Sequence, residues 1–384
     1  MSPLLPGRGI RTIVRSLLRM CFGRQGQRRL QSHRIFYRLK AHVVLHTPER
    51  ISRLVQRAEA RVWVDGDQAF SRIEHLIRGA RHTVCIQMYI WKDDDVGQRM
   101  AALLLDVAER GVNVEITKEA QGDLFEYNRD FLGTRGSSST LWKRFWSHSN
   151  IHVTYVQRND HAKVYVIDDA ILLLTGMNIA EEYRYHWHDV LIELRGRHFV
   201  EAYFTGRRSE GSTAPVRLVM NTPEHKEVRR TVEKLLASAN ESIVIEHAYL
   251  SDPAVIDLLI QRSLEGIRVT IILPEHANLH HHANLQAMGR LLAGSNAMQI
   301  FLFPGIIHGK IMLVDHRRVF VGSANLFSQS LDTMGEVNVF IEGGNRRAVW
   351  RLKEVLRQDI LRSRPLTSPP PMTWVSRWMA WLRL

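Results

Sequence analysis

The sequence is poor in cysteine, has no long apolar run, and carries no acid in its first 48 residues. Its two cysteines, Cys21 and Cys85, stand far apart with no C-x-x-C or Cys/His spacing, which excludes a disulfide framework and a zinc-finger type of structural metal. A reducing compartment is the simplest reading. No stretch of about 18 apolar residues occurs, so a transmembrane helix is not expected. The longest candidate, residues 164–174, is split by Asp168 and Asp169. Modest glycine and proline beside 45% hydrophobic and 24% charged residues exclude a fibrous or disordered chain. With 384 residues there is room for two domains and ample core.

The missing acid makes the charge uneven. Residues 1–48 hold ten of the basic side chains, from Arg8 to Lys40, which accounts for most of the formal +13. Within this arm Ile10, Ile13, Val14, Leu17, Leu18, Cys21 and Phe22 recur at helical spacing, with Arg11, Arg15 and Arg19 on another face. A basic amphipathic helix of this kind suits an anionic membrane surface; a solubilising tail or a mitochondrial targeting segment has the same composition. At the other end, Trp374, Trp378 and Trp381 fall at i, i+4 and i+7 after a proline break at 369–371. That stripe suits either a lipid headgroup boundary or docking on the body.

What is present is a repeat. The stretch HAKVYVIDDAILLLTGMN (161–178) and the stretch HGKIMLVDHRRVFVGSAN (308–325) share His, Lys, Asp and Asn at the same gaps: His161, Lys163, Asp168, Asn178 and His308, Lys310, Asp315, Asn325. Another acid follows each Asn by the same interval, Asp189 in the first copy and Glu336 in the second. Upstream, residues 80–90 resemble 239–250, and each follows a helix-like segment. Each half then reads helix, strand, helix, strand, hairpin and a further strand, which predicts two layered α/β domains paired about a pseudo-two-fold axis. Segment 118–150 has no clear counterpart of the same character in the second half; its LWKRFW run (141–146) suits a lid or an amphipathic helix over the core.

Strand alternation puts His161 and Lys163 on one face, and likewise His308 and Lys310. Asp168 and Asp315 have the opposite parity and are expected to brace a loop. Bringing both hairpins together converges two imidazoles, two ammoniums and two amides, a cavity suited to phosphate in which lysines and amides take the charge that other enzymes give to metal ions. No carboxylate cage is in view, so a site without metal or cofactor is expected. One neutral imidazole attacks a phosphodiester, the other donates to the leaving oxygen, and a covalent phosphohistidine results. Asp189 and Glu336 are the candidates for holding the far ring nitrogens. A single H-x-K is weak; two copies sharing every spacing are not.

Both stretches resemble the H-x-K-x4-D-x6-G-S-x-N signature of the phospholipase D superfamily over most of residues 60–345, and most resemble bacterial cardiolipin synthases without a transmembrane segment. The resemblance implies two α/β/α sandwich domains and phosphatidyl transfer between phosphatidylglycerol-type lipids at the cytoplasmic face of a bacterial membrane, as a peripheral protein. Its catalytic set covers His161, Lys163, Asp168, His308, Lys310, Asp315, Asp189 and Glu336. By position, His161 is the nucleophile and His308 the general acid and then base, with Glu336 behind His161 and Asp189 behind His308. Asn178, Asn325, Ser323 and, as a substitute hydroxyl, Thr175 are expected to hold phosphoryl oxygens. The first copy departs from the signature, with Thr175 and Gly176 where Gly and Ser are usual. The expected boundaries are 1–48 for the arm, 49–208 and 214–363 for the two domains, and 364–384 for the tail. Lipid hydrolysis and nuclease activity are the alternatives within the superfamily, and a scaffold that has lost catalysis is a third; the apolar stripes of arm and tail favour lipid over nucleic acid. His276, His280, His281 and His282 suit a solvated loop better than a metal site.

Overall fold

A computed structural model of the protein describes residues 59–126, 140–207, 212–343 and 346–381, so the basic arm lies outside the described residues. Seven strands form a first sheet: β1 (Glu59–Val64), β2 (Thr83–Met88), β3 (Asn113–Glu119), β4 (Ile151–Val156), β5 (Lys163–Ile167), β6 (Ile171–Thr175) and β7 (Val190–Arg195). Eight form a second: β8 (Val216–Asn221), β9 (Ser242–His247), β10 (Arg268–Pro274), β11 (Gln299–Phe303), β12 (Lys310–Val314), β13 (Arg318–Gly322), β14 (Glu336–Glu342) and β15 (Arg364–Pro365). The orders are β1-β7-β6-β5-β2-β3-β4 and β15-β11-β10-β9-β12-β13-β14-β8. Reading the second backwards reproduces the first strand for strand, with β15 added at the edge. The repeat seen in the sequence is thus a repeat of topology: two mixed α/β sheet domains.

Three apolar layers hold the sheets. The outer face of the first sheet packs on α1 (Asp65–Arg78), α2 (Asp95–Glu109) and α3 (Thr140–Ser147). In α2 the Asp94 carboxylate caps the start by accepting from Gly97 N at 2.9 Å, and Val96, Met100, Leu104 and Val107 recur on the buried face. Phe145 of α3 is buried in this layer, so the LWKRFW run covers the core. Four short or medium helices follow, α4 (Glu181–Tyr185), α5 (Arg197–Thr205), α6 (Val228–Ala237) and α7 (Pro253–Leu264), then α8 (His281–Gly294), α9 (Ser328–Asp332), α10 (Arg346–Arg362) and α11 (Trp374–Trp381). The outer face of the second sheet packs on α6, α7 and α8.

The third layer joins the halves. Val164, Val166, Leu172 and Ile192 of the first sheet share one cluster with Ile311, Leu313, Val321 and Val339 of the second, together with Phe199 of α5 and Leu352 of α10. Alternate residues of β5 and β12 supply it, as a strand buried on both faces requires. The expected pairing about a two-fold is visible in reciprocal backbone bonds. His161 N donates to Gly335 O at 2.7 Å, and His308 N donates to His188 O at 2.7 Å.

The tail begins by adding β15 to the edge of β11, and α11 packs along α8 with Ala380 buried. Trp374 and Trp378 are nonetheless 80% and 55% exposed, so the helix docks without burying these two. Among the described residues, no helix is long and apolar enough to cross a membrane.

Candidate active site

Each His–Lys pair stands where a central strand begins. Ala162 and Gly309, the small residues between His and Lys, are buried under the opposite half. The two trailing acids start β14 and open onto β7, and because the halves dock head to head each acid reaches the other half's histidine. Glu336 Oε1 lies 3.2 Å from His161 Nδ1, and Asp189 Oδ2 lies 2.9 Å from His308 Nδ1. With Nδ1 donating to a carboxylate, the tautomer is fixed; Nε2 of His161 is left to react, while Lys310 Nζ lies 3.3 Å from Nε2 of His308.

The ammonium groups fold back over the strand ends: Lys163 Nζ donates to His161 O at 2.5 Å, and Lys310 Nζ to His308 O at 2.5 Å. Burial, with the Lys163 charge, pushes His161 down to about 4, against the pull of Glu336. Burial also holds His308 well below its ordinary value, and the charges of Lys310, Lys163 and His161 act in the same direction. Lys310 is lowered to about 8 and Lys163 well below the usual lysine range, both first by burial. Asp189 is raised to about 7 by burial, opposed by Lys310. Groups of one half thus feel those of the other, and all four basic side chains are held as they are in a desolvated, electropositive pocket.

The remaining expected residues divide. Asn178 is buried, its Oδ1 accepting from Ile90 N at 2.9 Å; Asn325 is buried with its Oδ1 lacking a hydrogen-bond partner. Ser323 is at the site but not as a direct ligand for phosphoryl oxygen, because its proton goes to Glu336 Oε2 at 2.5 Å and it accepts from Val337 N at 3.0 Å. Thr175 likewise spends its proton on Val190 O at 2.9 Å, so its expected role as a substitute hydroxyl is corrected to a strut of the strand ladder. Position 176, the true counterpart of Ser323, has no room for one: a Cβ on Gly176 would lie 2.5 Å from Asp189 Oδ2 and 3.1 Å from His308 Nδ1. The first copy pairs a shorter acid with a bare backbone.

Asp168 and Asp315, counted in the catalytic set by resemblance, belong at the far end of the hairpins. Each is the first of two left-handed residues in the three-residue connection between the paired strands, with φ of 49° and 51°, a conformation Asp tolerates better than most residues. Asp168 accepts from the backbone N–H of Arg81, His82 and Thr83, and Asp315 from those of Asn240, Glu241 and Ser242. These bonds hold the Asp315 carboxyl at about 2 despite burial, and Asp168 below its ordinary value. A strand of five residues, about 16 Å, separates them from the lysines. They lock the hairpin to the neighbouring strand.

Several residues went unnoticed in the sequence. Ser330 Oγ donates to Glu336 Oε1 at 2.6 Å and accepts from Asn325 N at 2.8 Å, completing a two-hydroxyl cradle for that acid. The corresponding place in the first copy is Tyr183, whose ring meets His308 edge-on at 5.1 Å, with Trp187 at 5.5 Å. Tyr89 meets His161 edge-on at 5.2 Å and lies 5.1 Å beneath Lys163 Nζ. Aligning the two copies five residues past each Asn would have exposed the Ser330/Tyr183 position; the aromatic walls carry no spacing signal. His276 and His280 both precede α8 rather than sharing its face, and His280 stacks on Phe327 at 4.9 Å.

Comparison with known proteins agrees with this geometry. The family described as "Cardiolipin synthase, PLD-like domain" matches residues 73–205 and again 232–360. The chain is 25% identical over 353 residues to a cardiolipin synthase of Listeria welshimeri, covering 82% of this chain and 71% of the relative. It is 26% identical over 342 residues to the major cardiolipin synthase ClsA of Bacillus subtilis, covering 80% and 70%. Among solved structures, the phosphatidylserine synthase of Haemophilus influenzae superposes with a TM-score of 0.63 at 14% identity, covering 84% of this chain and 92% of that one, a likeness of fold. Two copies of the matched domain, spread over most of the described residues, place the chain in the cardiolipin synthase, PLD-like domain family, as an enzyme of the phospholipase D superfamily.

Proposed function

We propose that the protein is a phosphatidyltransferase that joins two phosphatidylglycerol-type lipids into cardiolipin and releases glycerol. The observation that carries this reading is the crossed pairing of Glu336 with His161 and Asp189 with His308. His161 Nε2 attacks phosphorus, the bond to the glycerol oxygen breaks, and that oxygen takes a proton from His308, which enters the step as the imidazolium: burial and the neighbouring cations disfavour that form in the free site, and the bound phosphodiester anion with Asp189 favours it. The hydroxyl of a second lipid then gives its proton to His308 and displaces His161, so every proton lent is returned. Lys163, Lys310 and the Asn178 and Asn325 amides face the growing oxyanion charge. The depressed lysines support this, since a bound phosphodiester anion removes the penalty on their charged forms.

Exposed Trp374 and Trp378, with the basic arm, support a peripheral position on an anionic membrane, at its cytoplasmic face. The side chain of His161 is 13% exposed against 5% for His308, which supports His161 as the one that meets substrate first. Purified protein with phosphatidylglycerol vesicles is expected to yield cardiolipin and glycerol in equal amounts, and His161→Ala or His308→Ala to yield neither. Phosphatidic acid as the main product would mean hydrolysis, and cleavage of single-stranded DNA without lipid turnover would mean a nuclease.

A further inference from the structure

Behind the His308 half of the site lies a buried group that the reaction does not use. His188 Nε2 is 3.1 Å from Asp359 Oδ2 and 3.5 Å from Glu246 Oε1, and donor atoms of the three residues lie within 4.8 Å of one another. His188 comes from the loop before β7, Glu246 from β9 and Asp359 from α10, so the point is where the halves meet. We propose that this trio binds one divalent transition-metal ion, with zinc the best fit, as a positioning site.

Three observations carry the assignment. First, the spacing fits: ligand atoms on a tetrahedral zinc with bonds of 2.0–2.1 Å stand about 3.3 Å apart, and the two distances from His188 Nε2 bracket that value. Second, His188 Nε2, both Glu246 carboxylate oxygens and Asp359 Oδ2 are buried without an aligned hydrogen bond. One imidazole N–H serves one oxygen at most, and a cation at the centre serves all of them. The Arg362 guanidinium is 3.7 Å from Asp359 Oδ1, on the oxygen away from His188, and its side chain is mostly exposed. Third, the other ring nitrogen is already held: Asp65 Oδ1 lies 2.6 Å from His188 Nδ1, the carboxylate–histidine relation that orients metal-bound imidazoles. Asp65 adopts a left-handed φ of 61° to present it.

The fold does not require such a cluster. In the first half, the residue paired with Val164 is Gln87, where Glu246 pairs with Ile311 in the second. Gln87 Oε1 accepts from the Tyr203 hydroxyl, and the counterpart of His188 is Gly335. A neutral amide and phenol fill in one half the place that charged groups fill in the other. The consequence of a metal here is local: His188 O receives the backbone N–H of both His308 and Gly309, at 2.7 and 3.0 Å, so a pinned His188 fixes the peptide that presents His308.

The test uses untagged full-length protein, stripped with chelator and titrated with Zn²⁺ and separately with Co²⁺. One equivalent of Zn²⁺ is expected to bind and raise the melting temperature, and Co²⁺ to give the visible absorption of a four-coordinate ion. Glu246→Gln, which installs the first half's residue, and Asp359→Asn are expected to lose that equivalent and the zinc-dependent melting shift. Asp65→Asn, which keeps the left-handed backbone, is expected to weaken zinc binding by about 10–100-fold. Replacing His281 and His282 with Asn leaves binding intact. A wild-type chain that takes up no stoichiometric ion and shows no melting shift overturns the proposal. So does an equivalent that survives Glu246→Gln and disappears with the His281 and His282 changes.

Discussion

Glu336 of the second half lies 3.2 Å from His161 Nδ1 of the first, while the hydroxyls of Ser323 and Ser330 hold its two oxygens at 2.5 and 2.6 Å. The carboxylate is therefore oriented by its own half and used by the other. Glu336→Gln keeps the volume and removes the charge that fixes the imidazole tautomer and stabilises its protonated form. Turnover is expected to fall on the order of 10³–10⁴-fold with KM nearly unchanged, read in a phosphatidylglycerol assay beside a melting curve showing that the variant is folded.

Restoring the family signature in the first copy is expected to harm the enzyme. In Gly176→Ser the new Cβ falls 2.5 Å from Asp189 Oδ2, an oxygen already committed to His308. Displacing it separates the pair, at a stability cost of about 1–3 kcal/mol and with a matching loss of turnover. Denaturant unfolding and activity together check this; a Gly176→Ser variant as stable as wild type and faster would mean that the acid has freedom the packing denies it.

The pH response follows from burial. His161, lowered to about 4, is neutral and able to attack across the mildly acidic range, and Lys310, lowered to about 8, loses its charge above that value. The profile of kcat/KM is expected to fall on the alkaline side near 8 as Lys310 loses its charge, and to rise as pH drops below neutral, because the proton donor His308 is held well below its ordinary value in the free enzyme, until His161 itself protonates near 4. For stability the sign is set by the unfolded chain, which binds the His161 proton at its ordinary, higher pKa. The contribution of neutral His161 is complete above that value and drains away as pH falls toward 4. Melting temperatures from pH 7 to pH 4, compared between wild type and His161→Gln, read the difference.

Asp168→Ala is expected to be a stability variant. Losing the acceptor for three backbone N–H groups costs about 1–3 kcal/mol, while the folded fraction keeps turnover within a few-fold of wild type. Activity normalised to folded protein separates this from a catalytic role, which would leave melting unchanged and abolish turnover.

The exposed tryptophans give a membrane prediction. Trp374→Ser with Trp378→Ser removes side chains that are 80% and 55% exposed, so melting is expected to hold steady. Vesicle affinity is expected to drop roughly tenfold, as the loss of partial burial of two rings in lipid implies. Co-sedimentation with phosphatidylglycerol vesicles measures it, and unchanged binding would assign these rings no role at the membrane.

Much of the site was legible because duplication writes each residue twice. The constant offset between the copies carried His161 to His308, Lys163 to Lys310 and Asp189 to Glu336, and strand alternation separated the hairpin Asp residues from the reacting face. The crossed His–acid contacts need the halves docked, which spacing alone does not contain; the resemblance supplied that order. Other features were not readable. The roles of Ser323 and Thr175 depend on where one hydroxyl proton goes, and the repeat marks positions 183 and 330 as equivalent without showing what the differing Tyr183 and Ser330 touch. His188, Glu246 and Asp359 are far apart in the chain and converge only through tertiary packing. The Trp stripe was readable as a stripe, but which face α11 buries was decided by its packing along α8.

The most direct test of two imidazoles serving one phosphorus is to mix the enzyme with a phosphatidyl donor carrying a fast-leaving alcohol, quench rapidly and map adducts by peptide mass spectrometry. In wild type and, more abundantly, in His308→Gln, a phosphatidyl mass is expected on His161, because attack no longer needs the second ring when the leaving group departs unaided. Cardiolipin formed at full rate with an adduct on neither histidine would show that the transfer does not pass through His161.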